Sequence, residues 1–216
     1  MPPNKSYEQY CGVAKALDVV GERWTLLVVR ELLAGPMRYT DLIDGIPGIA
    51  TDMLAARLKT LEESELVTRR QLPPPAASTV YELTEAGRGL EPVVHELARF
   101  GASLLGRRKG EAFRIHWLAM PLRMMFRPDR ATGAPLIVQF ESDKDTMHAR
   151  FANGTIETNL GPAQAPDVVI AGDMWTISRA GKDRAFGDEA VAKGRLKVTG
   201  VKADVKRALQ MLGLRD

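Results

Sequence analysis

Leu54, Leu58 and Leu61 recur at i, i+4 and i+7 within PGIATDMLAARLKTLEESELVTRRQ, the stretch from Pro47 to Gln71. That spacing is one face of an α-helix, not the period-two alternation of a half-buried strand. The opposite face carries Asp52, Ala56, Lys59 and Glu63. The helix therefore has an apolar back and a polar front. A turn containing Pro47 and Gly48 leads into it, and a short β-like run holding Arg69 and Arg70 follows.

The flanking segments give that helix a context. Residues 8–20 read as a helix with Val13, Ala14, Leu17 and Val20 on one side, ended by Gly21. Trp24 to Leu33 reads as a second helix, stopped by the Ala-Gly-Pro of 34–36. Tyr39 to Asp44 is a short third helix, followed by the turn at 45–49. The helix of the opening stretch spans about 51–64. Val67 to Leu72 and Thr79 to Leu83 read as strands around PPPAAS, whose prolines cannot donate to a sheet. Glu85 to Leu105 carries Leu90, Val93, Val94, Leu97 and Leu104 on one face. Pro92 inside this pattern either kinks the helix or marks its true start. Three helices, a turn, a helix, a hairpin and a last helix form a winged helix-turn-helix. In that arrangement the outer face of the 51–64 helix is free to enter a DNA major groove.

The residues also carry a resemblance. The early Cys11, Gly21 followed by Trp24-Thr25-Leu26-Leu27, Arg30-Glu31-Leu32, Pro47-Gly48-Ile49, Leu54-x-x-Arg57-Leu58-x-x-Leu61-Glu62 and Tyr81-x-Leu83-Thr84-x-x-Gly87 resemble the HxlR-type winged helix-turn-helix regulators. The resemblance runs over about residues 10–105 and implies a DNA-binding transcriptional regulator, usually a dimer. Where that family commonly places a Ser or Thr cap this chain has Ala50, with Thr51 next to serve as cap. Where it often has a basic residue this chain has Asp52, which could accept from a cytosine amino group.

Helix geometry and charge nominate the DNA-facing residues. Asp52, Ala56, Lys59 and Glu63 belong to the polar front, with Met53 and Thr60 beside it; Thr51, at the start of the helix, joins the candidates. Arg57 flanks the buried face, which suits a phosphate or an internal Glu better than a base edge. Arg38, Lys59 and Arg69 or Arg70 are the cations for phosphates. In a strand only one of Arg69 and Arg70 can point outward on a given face. For Cys11 two readings stay open: an inert packed residue, or, as the resemblance implies, a sensor of oxidants or electrophiles. With one cysteine in the chain, sensing means an adduct or an intermolecular disulfide.

Composition bounds the rest. The single cysteine excludes an intrachain disulfide and points to a reducing compartment. No apolar run reaches the ~18 residues of a membrane helix, and MPPNKSYEQYC has no signal-peptide core. The expectation is a cytoplasmic protein with no membrane partner. The net charge of +3 is uneven: residues 1–110 hold 14 basic and 14 acidic side chains, and residues 111–216 hold 16 and 13. Nucleic-acid binding by the first half must therefore rest on a local basic patch, not bulk charge. His95, His116 and His148 are scattered without metal-ligand spacing, and no nucleophile elbow, P-loop or dinucleotide fingerprint is present. The expectation is no metal, no cofactor and no enzymatic activity.

The charged, Gly-flanked GRRKGE at 106–111 is a natural boundary, giving domains 1–108 and 109–216. Residues 113–126 are helix-like and interrupted at Pro121. PLIVQFES, TMHARFAN, TIETNLG and DVVIAG alternate as strands, with Asn153-Gly154 a two-residue hairpin signal. DMWTISRA and KDRAFGDEAVAKG read as helices, RLKVTG as a strand and VKADVKRALQMLG as a closing helix. The pattern is α+β, an antiparallel sheet with helices on one side. About residues 135–213 are similar to the sterol-carrier-protein-like fold, which implies an apolar tunnel for lipid-like ligands. Trp117, Met120, Met124, Met147, Phe151, Trp175, Phe186 and Met211 are the candidates to line it.

The expectation is thus a dimeric transcription factor, a repressor, that binds double-stranded DNA. The first helix and the 85–105 helix supply the homodimer contact, and the second domain senses a hydrophobic or amphipathic small molecule. The rival is a lipid carrier or scaffold in which the winged helix only dimerises.

Overall fold

The structure, a computed structural model, describes residues 6–74, 77–105, 110–142, 145–181 and 183–214. The chain separates into two compact units, Met1–Lys109 and Gly110–Asp216. Residues 106–109 of the charged boundary, and residues 75–76 of the proline-rich loop, lie outside the described residues.

The first unit runs α1 (Gly12–Val20), α2 (Thr25–Leu33), α3 (Tyr39–Gly45), α4 (Thr51–Glu63), β1 (Val67–Gln71), β2 (Thr79–Leu83), α5 (Glu85–Arg88) and α6 (Glu91–Ala102). Leu54, Leu58 and Leu61 of α4 are buried, as their spacing requires, together with Val28, Val29 and Leu32 of α2 and Leu42 and Ile46 around α3. β1 and β2 pair antiparallel from Val67–Leu83 to Gln71–Thr79. Met37, ahead of α3, exchanges backbone hydrogen bonds of 3.0 and 2.8 Å with Tyr81, which ties the hairpin to the helical core.

The Tyr-x-Leu-Thr-x-x-Gly run has a local physical cause. Leu83 is buried. The Thr84 hydroxyl accepts from the Gly87 N–H at 3.0 Å, capping α5, and donates to the Glu65 carbonyl at 2.7 Å. Gly87 lies against the Leu66 carbonyl with no room for a Cβ. The 85–105 segment is not one helix. It breaks at Gly89-Leu90, and Pro92 sits in the first turn of α6, where its missing N–H costs no intrahelical bond. The first helix is also shorter than expected. It begins at Gly12, and Val13 and Leu17 face outward while Ala14 and Val20 are buried.

In the second unit a 3₁₀ turn at Ile115–Leu118 leads into α7 (Ala119–Met125), and another at Pro128–Arg130 precedes the sheet. Pro121 does not interrupt α7. It occupies the first turn, where no intrahelical N–H bond is needed. Then come β3 (Leu136–Glu141), β4 (Thr146–Ala152), β5 (Thr155–Leu160), β6 (Val168–Gly172), α8 (Met174–Ala180), α9 (Arg184–Ala192), β7 (Leu196–Gly200) and α10 (Lys202–Met211). The sheet order is β5-β4-β3-β6-β7. Asn153 and Gly154 both have positive φ, 50° and 70°, as a two-residue hairpin turn demands. The sheet is antiparallel except at its centre, where β3 and β6 run parallel. The chain crosses over after β5 to reach the other side of β3, a step that strand alternation alone does not reveal.

Register sorts the sheet into two faces. Val138 lies beside Ala149 and Val168, and Phe140 beside Met147 and Ile170. These form the face that packs with Leu118, Leu122, Ile177, Ala190, Ala208 and Met211 of the helical layer into one core. The opposite face carries Gln139, Glu141, His148, Arg150 and Lys197 at alternate positions.

Candidate nucleic-acid interface and apolar cavity

Helix α4 presents Thr51, Asp52, Ala55, Ala56, Lys59 and Glu63 to solvent, with Met53, Arg57, Thr60 and Glu62 half-buried at its flanks. Thr51 is not the cap. The cap position is Ala50, which supplies no side-chain bond, and Thr51 is the first helical residue. Its carbonyl accepts from the Tyr39 hydroxyl at 2.6 Å, so α3 holds the start of α4 directly. Asp52 accepts from the Met53 N–H at 2.9 Å and Thr60 donates to the Ala56 carbonyl at 3.1 Å. Arg38 is exposed just ahead of α3, with its backbone N–H bonded to Asp41 at 3.0 Å.

The other cations of this surface are paired. Arg57 meets Glu22 at 3.5 Å with its side chain 13% exposed, the internal Glu that its position on the helix favours. Lys59 meets Glu63 at 3.8 Å, one turn along. Arg69 donates to Glu62 at 2.5 Å and lies 5.8 Å from the Tyr81 ring. Arg70 donates to both carboxylate oxygens of Glu82, at 3.0 and 3.2 Å from Nε and 3.0 Å from Nη2. Arg70 holds the Glu82 carboxyl below its usual range. The two arginines diverge as alternation requires: Arg69 reaches to α4 and Arg70 to β2.

A buried polar helix face would have carried no such charges. A helix with its back enclosed, its front open and a hairpin of arginines beside it is a winged helix-turn-helix head. The HxlR-like helix-turn-helix family matches residues 19–109. HTH-type transcriptional regulator YodB of Bacillus subtilis is 40% identical over 82 residues, covering 38% of this chain and 73% of that protein. The chain belongs to the HxlR-type regulators. HTH-type transcriptional regulator sll1512 of Synechocystis is 32% identical over 101 residues, 47% of this chain and 75% of that protein. The solved reduced form of YodB from B. subtilis matches at 33% identity over 47% of this chain and 100% of that one, with a TM-score of 0.40.

This HxlR-type chain exposes a run of large apolar side chains in its first unit. Val93, Leu97, Phe100 and Leu104 follow one another at helical spacing on α6 and just past its end, and all are exposed, as are Val13 and Leu17 of α1. Cys11 is exposed as well, at the cap position of α1, and is not packed within its own chain. The backbone N–H groups of Ala14 and then Val13 favour its thiolate and lower its pKa.

The second unit of the regulator contains a partly open cavity of about 590 Å³. Its floor is Val138, Phe140, Val168, Ile170, Leu196 and Val198 of the sheet. Its walls are Leu118, Pro121, Leu122 and Met125 with Ile177, Val191, Val205, Ala208, Leu209 and Leu212. Ser178, Arg184 and Asp188 supply the polar side chains of the lining. Arg184 and Asp188 are exposed at 73% and 63% and lie 3.7 Å apart.

None of the eight side chains expected to line an apolar tunnel is among these. Met147 and Phe151 of β4 and Met211 of α10 are buried in the core. Met120 and Met124 are half-buried, as are Trp117, whose ring meets Phe113 at 5.8 Å, and Trp175, whose ring meets Phe186 at 5.2 Å. Arg179 and Arg195 cover the Phe186 ring at 4.7 and 5.1 Å. The cause is helical phase. Leu118, Leu122 and Met125 at i, i+4 and i+7 face the cavity, and Met120 lies two residues on, about 200° round the helix. That i, i+4, i+7 stripe is the sequence signal that marks the cavity side of this segment.

Among the described residues no group of three or more His, Cys, Asp or Glu could hold a metal ion. No helix among them is long and apolar enough to cross a membrane.

Proposed function

We propose that this chain is a dimeric repressor whose residues 1–108 bind double-stranded DNA and dimerise, and whose residues 109–216 hold a hydrophobic or amphipathic effector. The observation that carries the DNA reading is α4 itself: three buried leucines behind, and Asp52, Ala56 and Lys59 open in front. Met53 and Thr60 extend that base-reading face, Thr51 opens it, and Arg38, Lys59, Arg69 and Arg70 contact phosphates. Arg57 braces the helix through Glu22. The exposed Val93-Leu97-Phe100-Leu104 stripe and the outer face of α1 support a homodimer. Its two heads would read half-sites about 34 Å or a multiple apart.

The cavity supports the effector reading, and with the one-sided helical layer it supports a sterol-carrier-like fold for the second unit. The effector acts by binding one arrangement of the two heads better than another. Cys11 is a second input: its exposure and favoured thiolate suit reaction with an oxidant or electrophile.

The test is fluorescence anisotropy with DNA from upstream of the protein's own gene, at two salt concentrations, with excess random competitor. Site-selective binding establishes the regulator. Lys59→Ala should then weaken binding about equally across sequences and reduce the salt slope by ~1. The cavity also favours a second reading, a carrier or scaffold whose winged helix only dimerises. Absence of DNA binding at either salt concentration, with retained binding of an apolar dye, would select it.

A further inference from the structure

The wing arginines of this protein are not free cations. Arg69 is matched by Glu62 at 2.5 Å and Arg70 by both oxygens of Glu82 at 3.0 Å or slightly more. Lys59 is matched by Glu63. The partners come from two elements: Glu62 and Glu63 from the end of α4, Glu82 from β2. The wing and the end of α4 are thus locally neutral where they should meet a polyanion, and this agrees with the equal counts of acids and bases over residues 1–110.

We infer that Glu62 and Glu82 are specificity-determining residues, holding Arg69 and Arg70 as neutral pairs that random DNA opens only at a cost. The inference rests on the DNA-binding reading above. Glu62 takes Nε of Arg69, and Glu82 takes Nε and Nη2 of Arg70, so a phosphate must either displace the carboxylate or bind the remaining N–H groups with the carboxylate alongside; either way it meets a negative charge at close range. Non-specific binding is almost wholly the phosphate term, so it bears that cost without compensation. At a cognate site, base contacts along α4 form at the same time and offset it. Glu62 is placed for this coupling, since it lies in α4 one residue beyond Leu61 and is bonded to the wing. Neither glutamate touches DNA; both are positioning residues acting through an arginine.

The test uses the full chain as wild type, Glu62→Gln, Glu82→Gln and the double variant. Each is titrated by anisotropy with a random-sequence 30-base-pair duplex over a series of salt concentrations. Each single variant should bind the random duplex about two- to fivefold tighter, the range for freeing one exposed ion pair. The salt slope should steepen by ~0.9 for each carboxylate removed. A merely structural role would not move that slope. The gain of Glu82→Gln should vanish in an Arg70→Ala background, and that of Glu62→Gln in an Arg69→Ala background. Unchanged affinity and slope in variants of a DNA-binding wild type would overturn the inference alone. A gain that survives removal of the partner arginine would overturn the pairing. Failure of every protein, wild type included, to bind the duplex at the lowest salt would overturn the DNA reading and the inference with it.

Discussion

The carboxylate of Glu31 occupies the space that a side chain on Gly45 would need. Glu31 is fully buried in α2 and accepts from Arg30 Nε at 2.9 Å and Nη2 at 2.6 Å. Gly45 is the last residue of α3, so the pair sets how closely α3 approaches α2. Gly45→Ala should push this charged pair out of register. We expect a loss of about 3 kcal/mol, in the range for disturbing a buried ion pair, measured as a lowered urea midpoint at unchanged slope. A variant as stable as the wild type would show that α3 can shift freely.

The α6 stripe predicts an oligomer. Leu97 and Phe100 are 47% and 68% exposed within the chain. Leu97→Asp or Phe100→Asp should therefore leave the fold intact while converting a dimer to a monomer in light scattering. Affinity for a two-half-site duplex should fall at least tenfold, since the second head would no longer be tethered. A variant that remains dimeric would move the interface elsewhere.

The cavity predicts which side chains an apolar ligand senses. Val205→Trp places an indole in the space between α10 and the sheet and should reduce binding of a solvatochromic apolar dye about tenfold or more. Trp117→Ala removes a large aromatic that does not line the cavity and should leave dye affinity within about twofold. The reverse pattern would relocate the site to the aromatic group around Trp117.

Cys11 predicts a pH profile. The Ala14 and Val13 N–H groups lower its pKa, so folding increases the thiolate fraction at any pH below the ordinary thiol range. Alkylation by iodoacetamide should reach half its maximal rate at lower pH in the folded protein than in urea, where the reference is about 8.5. Coincident profiles would remove the reason to expect selective reactivity at this residue.

Much of the first unit is legible in the sequence because its signals are local. Leu54, Leu58 and Leu61 announce both the helix and its buried face. In the second unit Asn153-Gly154 announces a hairpin in the same local way, through the positive φ values that this pair tolerates easily. The cavity was not legible to the same degree. Its lining converges from α7, β3, β6, α8, α9, β7 and α10, and no sequence period links those elements. Large and polarisable residues looked like pocket walls, yet Met147, Phe151 and Met211 fill the core beneath neighbouring elements.

Sequence patterns alone carry most of the element order apart from the break between α5 and α6, the face of α4 that is buried, the expected boundary near residue 109, and the family resemblance. Those follow from periodicity, turn chemistry and short motifs, each of which acts over a few residues. Only the meeting of distant segments makes β3 and β6 parallel, places Glu62 and Glu82 on Arg69 and Arg70, and brings the Glu31 carboxylate against Gly45. Each of those depends on two segments meeting in space at a few ångströms. Electrostatic and packing energies at that range vary with position far more steeply than any sequence pattern records.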